Sequence, residues 1–351
     1  MLHDIEIAGR PVGPNHPPYV IAEMSGNHNG DLGRALEIVD AAAHAGANAL
    51  KLQTYTADTI TLDAPGAEFR IDDPTSLWAG RTLHALYDEA HTPWEWHKAI
   101  FARCHQHGIA CFSSPFDETA VDFLEDLDAP AYKIASFENV HLPLIRKAAS
   151  TGKPLLISTG MATAEEIAEA VDTARDAGCR DLILLKCTST YPADPADTNL
   201  LTIPDMRSRF GCQVGLSDHT MGAAVSIAAV ALGATVIEKH YTLSRGDGGV
   251  DSAFSMEPDE MHALVSGTQD AWQALGTVNY SPTSHEKASV QFRRSLYVAQ
   301  DMKAGDVFTP ENLRAVRPGL GLAPKYLDRI LGKHVTQDAE KGTPLSWDMV
   351  E

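Results

Sequence analysis

Short apolar runs alternate with amphipathic segments over residues 19–276 of the chain. The runs are rich in Val, Ile, Leu and Ala and are apolar at almost every position, which is typical of parallel strands covered on both faces. Eight such runs are present, at 19–23, 49–53, 109–113, 131–135, 155–158, 182–186, 213–216 and 235–238.

The segments between these runs carry the start and stop signals of helices. Asp31 precedes an amphipathic stretch that ends before Gly46, and Pro93 lies in the first turn of another. Thr163 and Glu166 have the spacing of a capping box. Eight strands that alternate with helices predict an α/β fold, the (β/α)8 TIM barrel. A doubly wound open sheet is the alternative, but it usually has fewer strands, and no GxGxxG sequence follows the first run.

Two regions depart from this alternation. Residues 54–92 form a connection much longer than a barrel loop needs, which favours a lid or a specificity insert. Beyond Gly276 the chain becomes polar, and short strand-like runs follow, separated by Gly and Pro turns. We therefore expect a barrel domain at 1–278, a linker at 279–292 and a small, mostly β domain at 293–351, with strand-like runs at 295–298, 315–317 and 332–335.

Composition and charge narrow the range of functions. The 47 acidic and 28 basic side chains give a net charge of −19, which argues against nucleic acid or an anionic membrane as partner, because phosphate binding needs clustered Lys and Arg. A few inward-pointing cations can still hold a small anionic substrate. The five cysteines include no CxxC pair, which favours buried free thiols in a reducing compartment. The N-terminus lacks the pattern of a signal peptide, so we expect a cytoplasmic protein.

Polar side chains follow all eight strand-like runs. In a TIM barrel the C-terminal ends of the strands meet at one face, which holds the active site. Lys51 and Lys133 lie at two of these ends, and with neighbouring serines they would suit a phosphate-bearing anion. His219 and His240 close the last two strands, so both imidazoles can reach one metal ion and leave positions for water and substrate. The serines are Ser114, Ser136, Ser158 and Ser217.

These residues also have purely structural interpretations. Ser114 and Thr220 could be helix N-caps. Glu238 and Lys239 could form an ion pair with each other. The convergence of polar groups from all eight strands nevertheless favours an active site.

Two other functions are compatible with this pattern. Lys133 or Lys186, each at a strand end, could serve as the nucleophile of a Schiff-base aldolase. A non-catalytic carbohydrate-binding protein that uses the β domain ranks last, because it would need no metal and no paired histidines.

The same strand ends carry motifs that resemble the sialic acid synthase family. The similarity covers nearly the whole chain, and the C-terminal part is similar to the family's antifreeze-like (SAF) domain. The resemblance therefore implies a TIM barrel followed by a small SAF domain. The motifs are AE at 22–23, KLQT at 51–54, SPF at 114–116, YKIASFE at 132–138, STGM at 158–161, YP at 191–192, GLSDHT at 215–220, EKHYT at 238–242 and VDSAFS at 250–255.

The resemblance implies that phosphoenolpyruvate condenses with an aldehyde sugar to give a nine-carbon 2-keto acid and inorganic phosphate. In that reaction the enol carbon C3 attacks the aldehyde, water adds at C2, and the tetrahedral intermediate expels phosphate by C–O cleavage. Glu23 and Glu138 would position water and move protons. The implied ligands of phosphoenolpyruvate are Lys51, Ser114, Lys133, Ser136, Ser158, Ser189 and Ser217, with the two lysines stabilising charge during catalysis.

The resemblance also implies a metal and a set of sugar ligands. A divalent ion, Mn²⁺ or Mg²⁺, on His219 and His240 would polarise the aldehyde oxygen. The implied sugar ligands are Gln53, Tyr191, Asp251 and Arg317. At the position of Ser189 the N-acetylneuraminate synthases of the family usually carry Asn, and a serine hydroxyl does not have the reach of that amide.

Within the family, residues 51–59, 91–98 and 251–255 are most similar to the branch that makes pseudaminic acid from 2,4-diacetamido-2,4,6-trideoxy-L-altrose. The alternative is the same chemistry on a sugar that gives N-acetylneuraminic or legionaminic acid. In the family, an Arg before Pro-Gly reaches the sugar from the partner's C-terminal domain, and Arg317 matches it, which implies a domain-swapped homodimer. The alternative is that Arg317 pairs with an acid of its own domain.

Overall fold

The computed structural model describes residues 2–74 and 76–351. The chain divides into two compact units, Met1–Gly276 and Thr277–Glu351. Each unit has its own buried apolar cluster.

The N-terminal unit contains a closed barrel of parallel strands, which confirms the predicted TIM barrel. In the described part of the chain the barrel has eight strands in the order β10-β3-β4-β5-β6-β7-β8-β9. Each lies within about two residues of a predicted run, because continuous apolar runs are the signature of strands buried on both faces. The strands are β3 Tyr19–Glu23, β4 Ala49–Thr54, β5 Ala110–Pro115, β6 Tyr132–Ile134, β7 Leu155–Ser158, β8 Leu182–Cys187, β9 Gln213–Asp218 and β10 Val236–His240.

Helices cover the outside of the barrel, and the predicted capping signals operate. Asp31 accepts a hydrogen bond from the backbone of Arg34. Thr163 and Glu166 form the capping box. Gly108 ends its helix in the left-handed conformation, with φ 69°. The helices of this unit are α1 Leu32–His44, α2 Ala57–Ile60, α3 Leu83–Ala90, α4 Trp94–His107, α5 Glu118–Asp126, α6 Leu142–Ala149, α7 Ala164–Asp176, α8 Thr202–Phe210, α9 Ala224–Ala231 and α10 Pro258–Leu275.

A short hairpin precedes the barrel and is not evident in the sequence pattern. Strands β1 (Ile5–Ile7) and β2 (Arg10–Val12) pair antiparallel. Ile5, Ile7 and Val12 are buried in one cluster with the apolar side chains inside the barrel. Strands of three residues are too short to produce a recognisable alternation.

The long connection 54–92 is partly helical rather than an open loop. It contains α2, the 3₁₀ helix Ala67–Phe69 and α3, and a bridge between Arg70 and Thr82 closes its middle part. In the described part of the chain, no helix is long and apolar enough to cross a membrane.

The C-terminal unit is small and irregular. Strands β11 (Ser295–Val298) and β12 (Leu313–Val316) pair antiparallel around buried side chains such as Leu296 and Phe308. The predicted strand 332–335 is wrong: His334 and Val335 form only isolated bridges, and Gly332 at φ 85° turns the chain there. The unit also contains helix α11, Leu327–Ile330.

Candidate active site

The C-terminal end of the barrel brings polar side chains from its strands together. Alternate residues of a strand face opposite sides, so Tyr19 and Ile21 fill the lower interior and Glu23 lies above them. On β10, Val236 is in the lower layer. The inward-facing polar residues are Glu23, Lys51, Gln53, Ser114, Lys133, Ser158, Ser217, His219, Glu238 and His240, and all except Gln53 are buried.

Two lysines and two carboxylates form a cluster in this polar layer. Lys51 Nζ lies 2.5 Å from Glu23 Oε2 and 4.0 Å from Glu238 Oε2. Lys133 Nζ lies 3.5 Å from Glu238 Oε1. The four side chains are at most 5% exposed, so each charge depends on the others for compensation.

The pKa values in this cluster leave it receptive to an anion. Burial raises the pKa of Glu23 to about 7, and Lys51 only partly opposes that. Burial also disfavours the charged form of Glu238, but Lys133 and Lys51 hold the pKa of that carboxyl below its usual value. Burial lowers the pKa of Lys133; at Lys51 the same effect is outweighed by Glu23 and Glu238, which raise the pKa. Near neutral pH, the Lys51 ammonium thus faces the ionised carboxylate of Glu238 and the carboxyl of Glu23, which is near its midpoint.

Serine hydroxyls lie beside this cluster of lysines and carboxylates. Lys51 Nζ donates to Ser114 Oγ at 3.2 Å, and Ser217 Oγ donates to Glu238 Oε1 at 3.0 Å. Ser158 Oγ is buried and has no hydrogen-bond partner among residues 2–74 and 76–351. A buried hydroxyl without a partner is available to a ligand.

Ser136 and Ser189 meet beside a glycine that keeps space open. Ser189 Oγ donates to Ser136 Oγ at 2.9 Å. Gly160 has φ 39°, and a Cβ there would lie 2.4 Å from Ser136 Cβ and 2.8 Å from Ser189 Oγ. Any larger residue would therefore push the two serines apart. The structure thus brings all the predicted serines to the barrel rim.

Glu138 is a second carboxyl with a raised pKa. It ends the 3₁₀ helix Ser136–Glu138 that follows β6. Burial raises its pKa to about 7, against the opposing charge of Lys133. Its Oε2 is buried and accepts no hydrogen bond within the described residues. Such a group can hold a water molecule or carry a proton near neutral pH.

His219 and His240 lie side by side, with ring centroids 5.4 Å apart. His219 Nδ1 donates to the Thr188 carbonyl oxygen at 2.8 Å, so in the neutral form of this imidazole Nε2 carries the free lone pair. Burial lowers the pKa of His240 well below its usual value, so this imidazole is neutral. His240 Nδ1 lies 3.6 Å from Asp251 Oδ2 and has no hydrogen-bond partner in the part of the chain described.

This donor set fits a divalent cation that also binds water or substrate. Two imidazoles beside a carboxylate are ligands that transition-metal ions accept. Among residues 2–74 and 76–351, no group of three His, Cys, Asp or Glu side chains is placed to hold a metal by itself. A cation on these two imidazoles would therefore need further ligands from water or substrate, as catalytic metal ions do.

The predicted sugar ligands of the barrel surround the histidines. Gln53 Nε2 donates to Glu23 Oε1 at 2.8 Å. The Tyr191 ring lies 4.4 Å from the His219 ring, and Asp251 follows on the segment after β10. Gln53, Tyr191 and Asp251 thus share one side of the site.

Arg317 lies in the C-terminal unit, directly after β12, and is exposed. In the described part of the chain its side chain makes no ion pair within 4.0 Å, so the alternative pairing with an acid of its own domain is wrong.

The alternative of a Glu238–Lys239 ion pair is also wrong. Adjacent residues of a strand point to opposite faces. Glu238 faces the barrel interior and Lys133, whereas Lys239 Nζ pairs with Asp218 Oδ2 at 3.0 Å. Their sequence adjacency therefore says nothing about their partners.

Ser114 and Thr220 are not helix N-caps. Ser114 lies within β5, and Asp117 caps the helix that follows. Thr220 Oγ1 donates to Asp218 Oδ1, whereas Ala223 is the N-cap of α9. Ser114 is thus free to serve the site.

Two residues of the site are absent from the sequence prediction. Ser25 contacts Asp251 and Gln53. Trp78, from the long connection, donates its indole N–H to the Val250 carbonyl oxygen at 2.8 Å and lies 6.0 Å from the Tyr191 ring. Neither residue ends a strand, so the rule that identified the other candidates does not select them.

Comparison with known sequences gives matches over both units. A sequence model of the NeuB family matches residues 38–280, and one of the SAF domain matches residues 293–351. The chain is 43% identical over 327 residues to the pseudaminic acid synthase of Campylobacter jejuni subsp. jejuni serotype O:23/36, covering 93% of this chain and 95% of the relative. It is 42% identical over 337 residues to the pseudaminic acid synthase of Helicobacter pylori, covering 95% and 98%.

A solved structure supports the same fold. The N-acetylneuraminic acid synthetase of Leptospira borgpetersenii serovar Hardjo-bovis, crystallised in complex with citrate, matches with a TM-score of 0.73 at 32% identity. The match covers 83% of this chain and 96% of that one.

Proposed function

The chain belongs to the NeuB family, and from that premise we propose that it condenses phosphoenolpyruvate with an open-chain amino sugar and releases inorganic phosphate. The observation that carries the proposal is the cluster of Lys51, Lys133 and serine hydroxyls at the barrel rim. Such a set of donors suits one carboxylate and one phosphate on a small molecule.

Lysines and serines of the barrel would bind phosphoenolpyruvate. Lys51 and Lys133 neutralise the charge of phosphoenolpyruvate. The hydroxyls of Ser114, Ser136, Ser158, Ser189 and Ser217 orient it by hydrogen bonds. Ser158, which has no partner among the described residues, has a free donor for this purpose.

The bond changes follow from the enol phosphate of phosphoenolpyruvate. C3 attacks the aldehyde carbon and forms the new C–C bond, while water adds at C2. The tetrahedral intermediate then breaks its C–O bond to phosphate and becomes the 2-keto acid. Glu138 and Glu23, whose carboxyls have a pKa of about 7, would position that water and take or give its protons.

His219 and His240 would hold a divalent metal, with Mn²⁺ or Mg²⁺ favoured. When bound there, the ion supplies Lewis-acid polarisation of the aldehyde oxygen. Asp251 Oδ2 lies 3.6 Å from His240 Nδ1, next to the sugar side of the site.

The sugar we propose is 2,4-diacetamido-2,4,6-trideoxy-L-altrose, which would make the product pseudaminic acid. Two relatives with more than 40% identity over most of the chain carry that activity in their names. Trp78 and Tyr191 offer apolar and aromatic surface beside Asp251 that suits a deoxy sugar with acetamido groups. The alternative is a sugar that leads to N-acetylneuraminic or legionaminic acid.

Turnover assays test the substrate and the metal together. With phosphoenolpyruvate and Mn²⁺, we expect phosphate release and a product of the mass of pseudaminic acid from the diacetamido sugar, and none from N-acetylmannosamine. EDTA should abolish turnover and added Mn²⁺ should restore it, because two imidazoles alone cannot polarise the aldehyde.

Other outcomes redirect the proposal. Turnover with N-acetylmannosamine alone would move the protein to the neuraminate branch. Activity that survives EDTA would contradict the proposed role of a metal ion. Borohydride treatment with pyruvate should leave no adduct, and a trapped adduct on Lys133 or Lys186 would favour a Schiff-base aldolase instead.

We also propose that the protein acts as a domain-swapped homodimer in which Arg317 reaches the sugar of the partner's barrel. Arg317 is exposed and makes no ion pair among the described residues. Large apolar side chains are exposed just beyond β6 and β7, namely Phe137 at 58% and Met161 at 60%. An exposed apolar rim around an active site is a surface that a second domain can cover.

Mixed dimers test the swap. Arg317→Ala and His240→Ala chains should each be inactive alone. Co-expressed, they should regain up to about a quarter of wild-type activity, because half of the dimers are mixed and each has one intact site. Arg314 is an exposed arginine within β12, and Arg314→Ala should remain active by itself. Absence of any recovery would contradict capping by the partner.

A further inference from the structure

Ser25 lies between two predicted sugar ligands, although it lies beyond the end of β3. It is 4% exposed, and it follows Glu23 by two residues. Its hydroxyl donates a hydrogen bond to Asp251 Oδ2 and accepts one from Gln53 Nε2 at 3.2 Å. One hydroxyl thus joins the segment after β10 to the end of β4.

These contacts fix the direction of both neighbours. Gln53 Nε2 also donates to Glu23 Oε1 at 2.8 Å, so both of its amide protons are used and its Oε1 is left to accept from a ligand. On Asp251, the oxygen that accepts from Ser25 is also the one 3.6 Å from His240 Nδ1. The second oxygen, Oδ1, is therefore left for another partner.

The backbone of Ser25 is held in a conformation that serine rarely adopts. Its φ is 46°, in the left-handed region, where glycine is the usual residue. Strained non-glycine residues of this kind cluster at functional sites, where the side chain has a use. At Ser25 that use is the hydroxyl, because a glycine would satisfy the backbone and lose both contacts.

We propose that Ser25 is a positioning residue for the sugar, acting through Asp251 and Gln53. By holding one oxygen of Asp251 and one proton of Gln53, it presents the remaining Oδ1 and Oε1 to the hydroxyl or amide N–H groups of the sugar. The proposal rests on the proposed condensation, and it adds a residue that selects the sugar without contacting phosphoenolpyruvate.

Two substitutions separate the hydroxyl from the backbone. Ser25→Ala removes the hydroxyl and keeps a residue that disfavours positive φ, whereas Ser25→Gly removes the hydroxyl and relieves the backbone. We expect both to raise KM for the sugar about tenfold and to leave KM for phosphoenolpyruvate within about twofold of wild type. Ser25→Gly should melt at a higher temperature than Ser25→Ala, because glycine adopts the positive φ without strain.

A matched control isolates the relief of strain. Asp128 also has a positive φ, of 52°, and it follows α5 at the end of the barrel opposite the site. Asp128→Gly should change neither KM value. A wild-type KM for the sugar in Ser25→Gly would overturn the proposal, because it would make the backbone conformation the only reason for Ser25.

A second measurement does not depend on turnover. In thermal unfolding, the shifts caused by Ser25→Ala and Asp251→Ala should not add in the double variant, because both remove the same hydrogen bond. Additive shifts would overturn the contact itself. If wild type turned over no sugar while the shifts remained non-additive, the proposed reaction would fail and the link between Ser25 and Asp251 would stand.

Discussion

Replacing Lys133 with methionine is expected to lower kcat/KM for phosphoenolpyruvate at least about 100-fold and to cost the ligand-free protein about 3–5 kcal/mol of unfolding free energy. Both effects follow from the loss of one ammonium group, which would bind the substrate and which neutralises Glu238 in the ligand-free protein. Lys133 Nζ lies 3.5 Å from Glu238 Oε1, and without it the ion-pair partner left to the buried carboxylate among the described residues is Lys51, at 4.0 Å. Steady-state kinetics and urea unfolding measure the two effects separately.

A double variant separates catalysis from stability. In Lys133→Met/Glu238→Gln the unpaired charge is gone. In the wild type Ser217 donates to Glu238 Oε1 at 3.0 Å, and the glutamine oxygen can still accept that hydrogen bond. We expect most of the lost stability to return, because the penalty came from an uncompensated buried charge. The kcat/KM should stay low, since the ammonium group is still missing. Activity that returned with stability would reduce Lys133 to a structural residue.

Lys239 provides the matched control. It is also a buried lysine with a carboxylate partner, Asp218 at 3.0 Å, but it leaves β10 on the side opposite to Glu238. Lys239→Met should therefore destabilise the protein by a similar amount and keep the equilibrium affinity for phosphoenolpyruvate within about threefold. An equal loss of affinity in both variants would contradict a direct role for Lys133.

The barrel could be predicted from the sequence because its strands are continuous apolar runs between amphipathic helices. That pattern identifies the strands and the helices, and the TIM-barrel fold then places the C-terminal ends of all the strands at one face. This rule selects Lys51, Lys133, His219 and His240 from the sequence alone. Which of these side chains pair with each other depends on the closed barrel: β6 and β10 are opposite strands, and Lys133 and Glu238 meet across the interior.

The residues that sequence analysis missed come from outside the strands. The backbone of Ser25 has a positive φ where the chain passes the site, and a single sequence gives no sign that a serine adopts this conformation. Trp78 reaches Val250 across 172 positions of the chain, a contact made by loop folding rather than by any periodic pattern. In the C-terminal unit, isolated bridges replace the predicted strand at 332–335, because short β segments are stabilised by their neighbours more than by their own sequence.

Glu138 should make the binding of phosphoenolpyruvate sensitive to pH. Its carboxyl has a pKa of about 7 because it is buried, and a bound anion raises that pKa further. Above pH 7 the ligand must therefore bring a proton with it, so affinity should fall as pH rises from 7 to 9, by up to about tenfold per pH unit for one proton. Calorimetry in two buffers of different ionisation enthalpy measures the proton uptake.

Glu138→Gln should reduce that uptake and flatten the dependence, whereas Glu169→Gln, at an exposed position of α7, should not. The titration of the ligand's own phosphate cancels in the difference between variant and wild type. The ligand-free protein gives a second readout with a defined sign: a carboxyl whose pKa is raised on folding binds more protons in the folded state, so stability falls as pH rises from about 4.5 to about 7. Glu138→Gln removes that loss and should add about 3 kcal/mol of unfolding free energy at pH 8. Unchanged stability together with unchanged proton uptake would mean that Glu138 is ionised in the free enzyme and titrates outside this range.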